Sequence, residues 1–314
     1  MLAGGLLLLA TQACVVPDPD EAIWIRIPPD DPLEAVAESL ATHGIVPSAA
    51  AFARFARLGR KHRGIKPGVY PFVPGTPMGR VLADLRKGRP DAVRIRVKEG
   101  VWLAELAPVL SRVLDLPLDS LTAAARDSTL RARLGTTAET VEGYLLPGTY
   151  YVPVQSTPPE VWRQLADAFA ARWKPEWDAR LDTLGLSRHE LVTLASIIEG
   201  EGGGAGELAL IASVYHNRLA QGLRLQADPT VVYALGTRTR LYNKHYGFDS
   251  PYNTYQVNGL PPGPIGQPSR ASILAALYPA ETDFLYFVAT RNGHHEFSRS
   301  YREHLVTIRT LRRR

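Results

Sequence analysis

The sequence predicts an α+β protein of two domains, on three observations. At 314 residues the chain exceeds one typical domain. The order of its strand and helix signals favours α+β, with no internal repeat and no low-complexity segment. Apolar periodicity lapses near Arg89 and Pro90, which places a boundary there and gives three segments: 1–20, 21–90 and 91–314.

The elements follow in order. Ala22 to Ile27 is apolar enough for a strand, and Asp30, Asp31 and Pro32 open a helix over 33–43. A second amphipathic helix covers 48–58, a strand follows at 64–73, and a third helix takes 78–86. Residues 93–97 alternate as a half-exposed strand does, and a new helix runs over 103–114. The chain to Leu134 is helical and rich in Ala and Arg. Residues 142–151 form a strand-turn segment dense in Gly, Pro and Tyr, and a long amphipathic helix spans 159–173. After the central stretch come a helix begun by Asp228 and Pro229, a proline-rich loop through residues 252–265, a short buried helix at 271–278, strands at 284–289 and 295–298, and a closing helix at 301–312.

The central stretch is 187–218. Ser187 and Glu190 form a capping box, and Leu191, Leu194, Ala195 and Ile198 recur on one face. Glu199 projects from the rim of that face as the helix ends at Gly200. Apolar neighbours and the helix C-terminus both favour the neutral acid there, and such groups serve as general acids. The plain alternative is a carboxylate turned outward at a frayed end. Glu201, two residues on, leaves the helix on the other side.

Composition sets outer limits. A net charge of +5 suits an anionic neighbourhood such as a membrane surface or cell wall. The basic residues read as dispersed, with only Arg309, Arg312, Arg313 and Arg314 clustered, and no aromatic-interleaved stripe points to nucleic acid. The single cysteine, Cys14, excludes a disulfide framework and ends an apolar run from Leu2 that resembles an export signal. That segment reads as an anchor helix, a lipid attachment at Cys14 or a cleaved signal; all three place the bulk of the chain outside the cytoplasm.

Several chemistries are excluded. The glycine run after Glu201 lacks the Lys-Ser/Thr of a phosphate loop. His294, His295, Glu296 and His304 lack a His-Glu-x-x-His pattern, and the two adjacent histidines would face opposite sides of a strand, so neither metal nor cofactor is expected. Ser196 and Ser213 lack a nucleophile elbow. Carboxylates beside amides, hydroxyls and tyrosines remain: Glu199, Glu201, Glu207, Gln226, Asp228, Asn253, Tyr144, Tyr252 and Tyr255. Such a set suits a carbohydrate. Helix capping alone also accounts for Glu207 and Asp228.

At these residues the chain resembles the MltG or YceG-like family of endolytic murein transglycosylases. The resemblance rests on Leu194-Ala195-Ser196-Ile197-Ile198-Glu199-x-Glu201, Ile211-Ala212-Ser213-Val214-Tyr215-x-Asn217-Arg218, Leu225-Gln226-x-Asp228-Pro229-Thr230, Tyr252-Asn253-Thr254-Tyr255, Gly259-Leu260-Pro261-Pro262-x-Pro264-Ile265, and Glu142-Gly143-Tyr144-Leu145-x-Pro147. It spans roughly residues 93–308. It implies a small LysM-like module before a mixed catalytic domain, an N-terminal membrane anchor, and Glu199 as catalytic residue. The implied reaction cuts the MurNAc-GlcNAc β-1,4 bond to leave 1,6-anhydro ends, with termination of nascent strands and contact with peptidoglycan synthases as the further expectations. Hydrolysis and a wall-binding scaffold are the alternatives. The chain departs from the family at Gly200-Glu201-Gly202, where Lys-Glu-Thr is common, at Gly148, where Asp is usual, and in its short anchor.

Overall fold

The computed structural model describes residues 23–28, 31–88, 92–154, 156–204 and 206–313. The expected anchor and linker, Cys14 included, and the expected boundary at Arg89 and Pro90 lie outside these residues. Two compact units divide between Ala92 and Val93. Among the described residues no helix is long and apolar enough to cross a membrane.

The first unit is built on a two-stranded antiparallel sheet. Strand β1 (Ile23–Ile27) pairs with β2 (Gly68–Phe72), Ile23 opposite Phe72 and Ile27 opposite Gly68. Between them run α1 (Leu33–Thr42) and α2 (Ala49–Arg57), and α3 (Met78–Lys87) follows. Ser48 caps α2 by accepting from the Ala51 N–H, as its residue type predicts. Leu40, Phe52, Tyr70 and Leu85 are fully buried, and the Tyr70 hydroxyl donates to the Lys66 carbonyl at 2.7 Å. The second strand begins four residues later than the sequence suggests, because residues Leu58–Gly64 wind into a 3-10 turn. Charge is also less dispersed than the sequence reading held. From residue 39 to residue 83 the chain has seven Lys or Arg and no Asp or Glu.

The second unit is mostly helical. Strands β3 (Ala92–Val97) and β4 (Gly148–Pro153) pair, with α4 (Leu103–Leu114), α5 (Leu118–Ala124) and α6 (Ser128–Leu134) between them. Next come α7 (Pro158–Arg172), α8 (Pro175–Leu184), α9 (Arg188–Glu201), α10 (Leu208–Ala220), α11 (Asp228–Ala234) and α12 (Arg270–Leu277). A hairpin of β5 (Tyr286–Ala289) and β6 (His295–Ser298) leads to α13 (Tyr301–Arg313). The mixed α+β class is as expected; α8 was not read from the sequence. Nor is β5 buried along its length, since a two-stranded hairpin covers one face only.

Helix α9 is the axis of this unit. All eight residues from Leu191 to Ile198 are buried, not just the predicted apolar face, because α8, α10, α11 and α12 all pack on it. Its polar residues are satisfied locally: Thr193 donates to the His189 carbonyl at 2.8 Å and Ser196 to the Thr193 carbonyl at 2.7 Å.

Candidate active site

The capping box forms as predicted, the Ser187 hydroxyl accepting from the Glu190 N–H and the Glu190 carboxylate from the Ser187 N–H. Fixed at that end and buried along its middle, α9 delivers Glu199 half-buried to the rim of an open cleft of about 1010 Å³. The carboxyl does not sit among apolar groups as the sequence suggested. Its Oε2 accepts from the Ser269 N–H at 2.9 Å and the Ser272 hydroxyl at 2.7 Å. Ser269 is the N-cap of α12, so the end of α9 is docked on the start of α12, where a carboxyl oxygen finds donors. Oε1 has no hydrogen-bond partner among the described residues. Gly200 permits this approach to α11, because a Cβ there would lie 2.7 Å from the Pro229 Cβ.

Four further acidic residues line the same cleft: Glu99, Glu105, Glu201 and Asp228. Helix α9 continues to Glu201, and the side chain does not leave for the far side as its spacing implied. Burial pushes the Glu201 carboxyl up to about 7; the Tyr215 hydroxyl, which donates to it, pulls the other way, and the charge of Asp228 adds to the rise. Asp228 is inside α11 and caps nothing; the N-cap position is Ala227. Its carboxylate accepts from the Tyr255 hydroxyl at 2.7 Å. Another wall is Trp102, with the Arg238 guanidinium 4.3 Å from its ring centroid. Arg238 also holds Glu105 through hydrogen bonds of 2.6 and 2.8 Å, keeping that carboxyl below its ordinary range.

A buried polar cluster braces this cleft from behind. Glu142, 4% exposed, accepts from the Leu103 N–H at 3.0 Å and from the Gln267 amide, and burial pushes its carboxyl up to about 8. Gln267 itself accepts from the Leu145 N–H at 3.0 Å, while its backbone bonds Gly100 and Val101. One amide thus joins three segments far apart in sequence, and Ser269 is two residues beyond it.

Asp228 and Glu201 also face an adjoining recess of about 340 Å³, with Gln226 and Tyr255. Gln226 adopts a left-handed backbone, φ +51°, and its side-chain oxygen accepts from Arg218 at 3.2 Å. Other expected site residues lie elsewhere. Tyr144 is fully buried against Phe169 and His189. Thr230 and Asn253 are fully buried and tie loops together, Thr230 to Thr254 at 2.8 Å and Asn253 to the Phe248 carbonyl at 2.7 Å. Tyr252 packs on Tyr233, ring centroids 5.0 Å apart. Glu207 lines neither cavity. It precedes α10 without capping it and binds the β5–β6 hairpin, accepting from the His295 N–H at 3.0 Å with both His294 and His295 rings within 3.3 Å. The two histidines therefore converge on one carboxylate and do not point apart. Among the described residues no cluster of three His, Cys, Asp or Glu could hold a metal ion.

Sequence reasoning missed Trp102, Arg238, Ser269, Ser272 and the Glu142–Gln267 pair. Trp102 alone carried a signal, as an aromatic at a helix start.

The raised carboxyls set a pH dependence. Unfolded glutamate ionises near 4.5 and folded Glu201 near 7, so the folded state holds the extra proton in between. Its contribution is fully present below about 4.5 and is lost as pH rises through about 7. Wild-type stability minus that of Glu201→Gln is therefore expected to fall by about 2–3 kcal/mol from pH 5 to pH 8. Urea titrations at both values measure it, and a difference that rises with pH contradicts the assignment.

Comparison with known proteins points one way. The model of the YceG-like family matches residues 25–310. The endolytic murein transglycosylase of Bacillus subtilis strain 168 is 30% identical over 322 residues, covering 97% of this chain and 89% of that protein. The protein of that name from Streptococcus pneumoniae serotype 2 strain D39 is 27% identical over 299 residues, and the match covers 54% of its length. A crystal structure of a YceG-like protein from Listeria monocytogenes superposes with a TM-score of 0.63 at 28% identity, covering 91% of this chain and 99% of the other.

Proposed function

The chain belongs to the YceG-like family and acts as a peptidoglycan lytic transglycosylase, in which we propose that Glu199 breaks the glycosidic bond. One observation carries the assignment: Oε2 of Glu199 is engaged by Ser269 and Ser272, while Oε1 is left for the cleft. A proton on this carboxyl belongs on Oε1. From there it passes to the bridging oxygen between N-acetylmuramic acid and N-acetylglucosamine as the C1–O bond breaks and positive charge develops at C1. The carboxylate then takes the proton of the muramyl C6 hydroxyl, whose oxygen bonds C1 and closes a 1,6-anhydro ring. One group serves as acid and then base, and no water is consumed. Trp102, 6% exposed beneath the Arg238 guanidinium, backs one wall of the cleft, and Gln226, Asp228 and Tyr255 offer polar contacts to a sugar.

The strand–helix–helix–strand order of the first unit supports a LysM-like module. The N-terminal apolar run supports attachment to the cytoplasmic membrane, with both units on its outer side and nascent strands and their synthases within reach. Mass spectrometry of digested uncrosslinked strands tests the reaction. Anhydro ends are the expected product; reducing ends mean that water was the nucleophile and that Asp228, on the same cleft, activates it.

A further inference from the structure

We propose that the turn between α2 and β2 in the first unit is a lipid-docking surface that lays this unit on an anionic membrane. Three observations meet there. Six of the seven basic residues in the acid-free stretch fall between Arg54 and Lys66, and residues 31–88 hold nine Lys or Arg against four Asp or Glu, a surplus equal to that of the whole chain. Arg54, Arg63 and Lys66 are exposed and pair with no carboxylate among the described residues, whereas Arg57 is held by Glu34. In the midst of them Leu58 is 73% exposed, the most exposed large apolar side chain among the described residues.

Charge by itself suits any polyanion. The leucine decides for lipid, because an exposed apolar side chain with basic residues on either side of it in the chain matches a headgroup layer over hydrocarbon, where basic residues stay at the phosphates and the apolar one sinks below them. A soluble sugar polymer gives such a leucine nothing to enter. Chain length permits the contact: the eight residues between Cys14 and β1 reach at most about 30 Å, and β1 is itself only about 13 Å long. The inference shares with the proposed function its membrane location and none of its chemistry.

The test uses the full chain with Cys14→Ser and Leu58→Cys, labelled at residue 58 with an environment-sensitive fluorophore. Phosphatidylcholine vesicles containing phosphatidylglycerol are expected to shift its emission to the blue, and pure phosphatidylcholine is not, even where the N-terminus inserts. Changing Arg60, Lys61 and Arg63 to Gln is expected to lower the lipid-facing to water-facing ratio of the label roughly a hundredfold, at about fivefold per charge. Equal emission on both vesicles overturns the proposal, as does a blue shift produced by purified glycan strands in place of lipid. Strand cleavage by the triple variant, measured in solution, is expected to be unchanged, which separates failure of this surface from failure of the Glu199 chemistry.

Discussion

Glu199→Gln is expected to lower the rate of strand cleavage by at least about 10³-fold, near the upper part of the range for losing a general acid–base group. In the proposed mechanism one group performs both proton transfers, so no second residue stands in for either. The amide keeps an oxygen that accepts from Ser269 and Ser272, so the junction of α9 with α12 persists and the melting temperature should stay within a degree or two. What is lost is the exchangeable proton at the cleft. Product formation by mass spectrometry and unfolding by circular dichroism, on the same preparation, separate the two effects. Anhydro products at near wild-type rate from this variant would remove Glu199 from the mechanism.

Gly143→Ala should be the most damaging single-methyl change in the second unit. Gly143 has φ +84°, and an added Cβ would stand 2.3 and 2.5 Å from Cβ and Cγ of Pro264. Left-handed strain costs about 1–2 kcal/mol and overpacking a further 1–3, for a total of about 2–5 kcal/mol. In a unit of this size that lowers the melting temperature by roughly 10 °C. Activity should fall as well, because Pro264 precedes Ile265, whose N–H donates to Ser196 at 3.0 Å, and the same loop carries Gln267 and Ser269 to the cleft. Gly135→Ala is the control, with φ +69° and nothing within 4 Å of the new methyl. It meets the strain without the clash. Equal losses in the two variants would mean that the Pro264 contact contributes nothing.

Much of the fold was legible because local rules agree with global packing. Helix α4 has the bounds its apolar spacing gives, and the Ser187–Glu190 box and the Ser48 cap form as their residue types demand. Helix α8 was passed over although Pro175 stands at its first position and Gly185 ends it. Its buried contacts, Trp177 and Leu181, form too short a pattern to register. The expected strand at 284–289 was too long and too buried, since an apolar run does not reveal that a hairpin has only one packed face.

At the site, the motif residues Glu199, Gln226, Asp228 and Tyr255 reach the two adjoining cavities, whereas Tyr144, Thr230 and Asn253 serve the scaffold that shapes them. A recurring letter does not distinguish a side chain that meets a ligand from one that holds a loop, because both are fixed by the same geometry.

The sequence by itself determined the mixed class, the helix that presents Glu199, and the family. Only the tertiary structure decided what surrounds that carboxyl. Periodicity reports which face of α9 is covered and not by what, so an apolar environment was the natural expectation. The actual partners come from a cap seventy residues away, braced by an amide 125 residues from Glu142. Hydrogen bonds between segments so distant leave no periodic trace in the chain; they exist only once burial of the helices has brought their ends together.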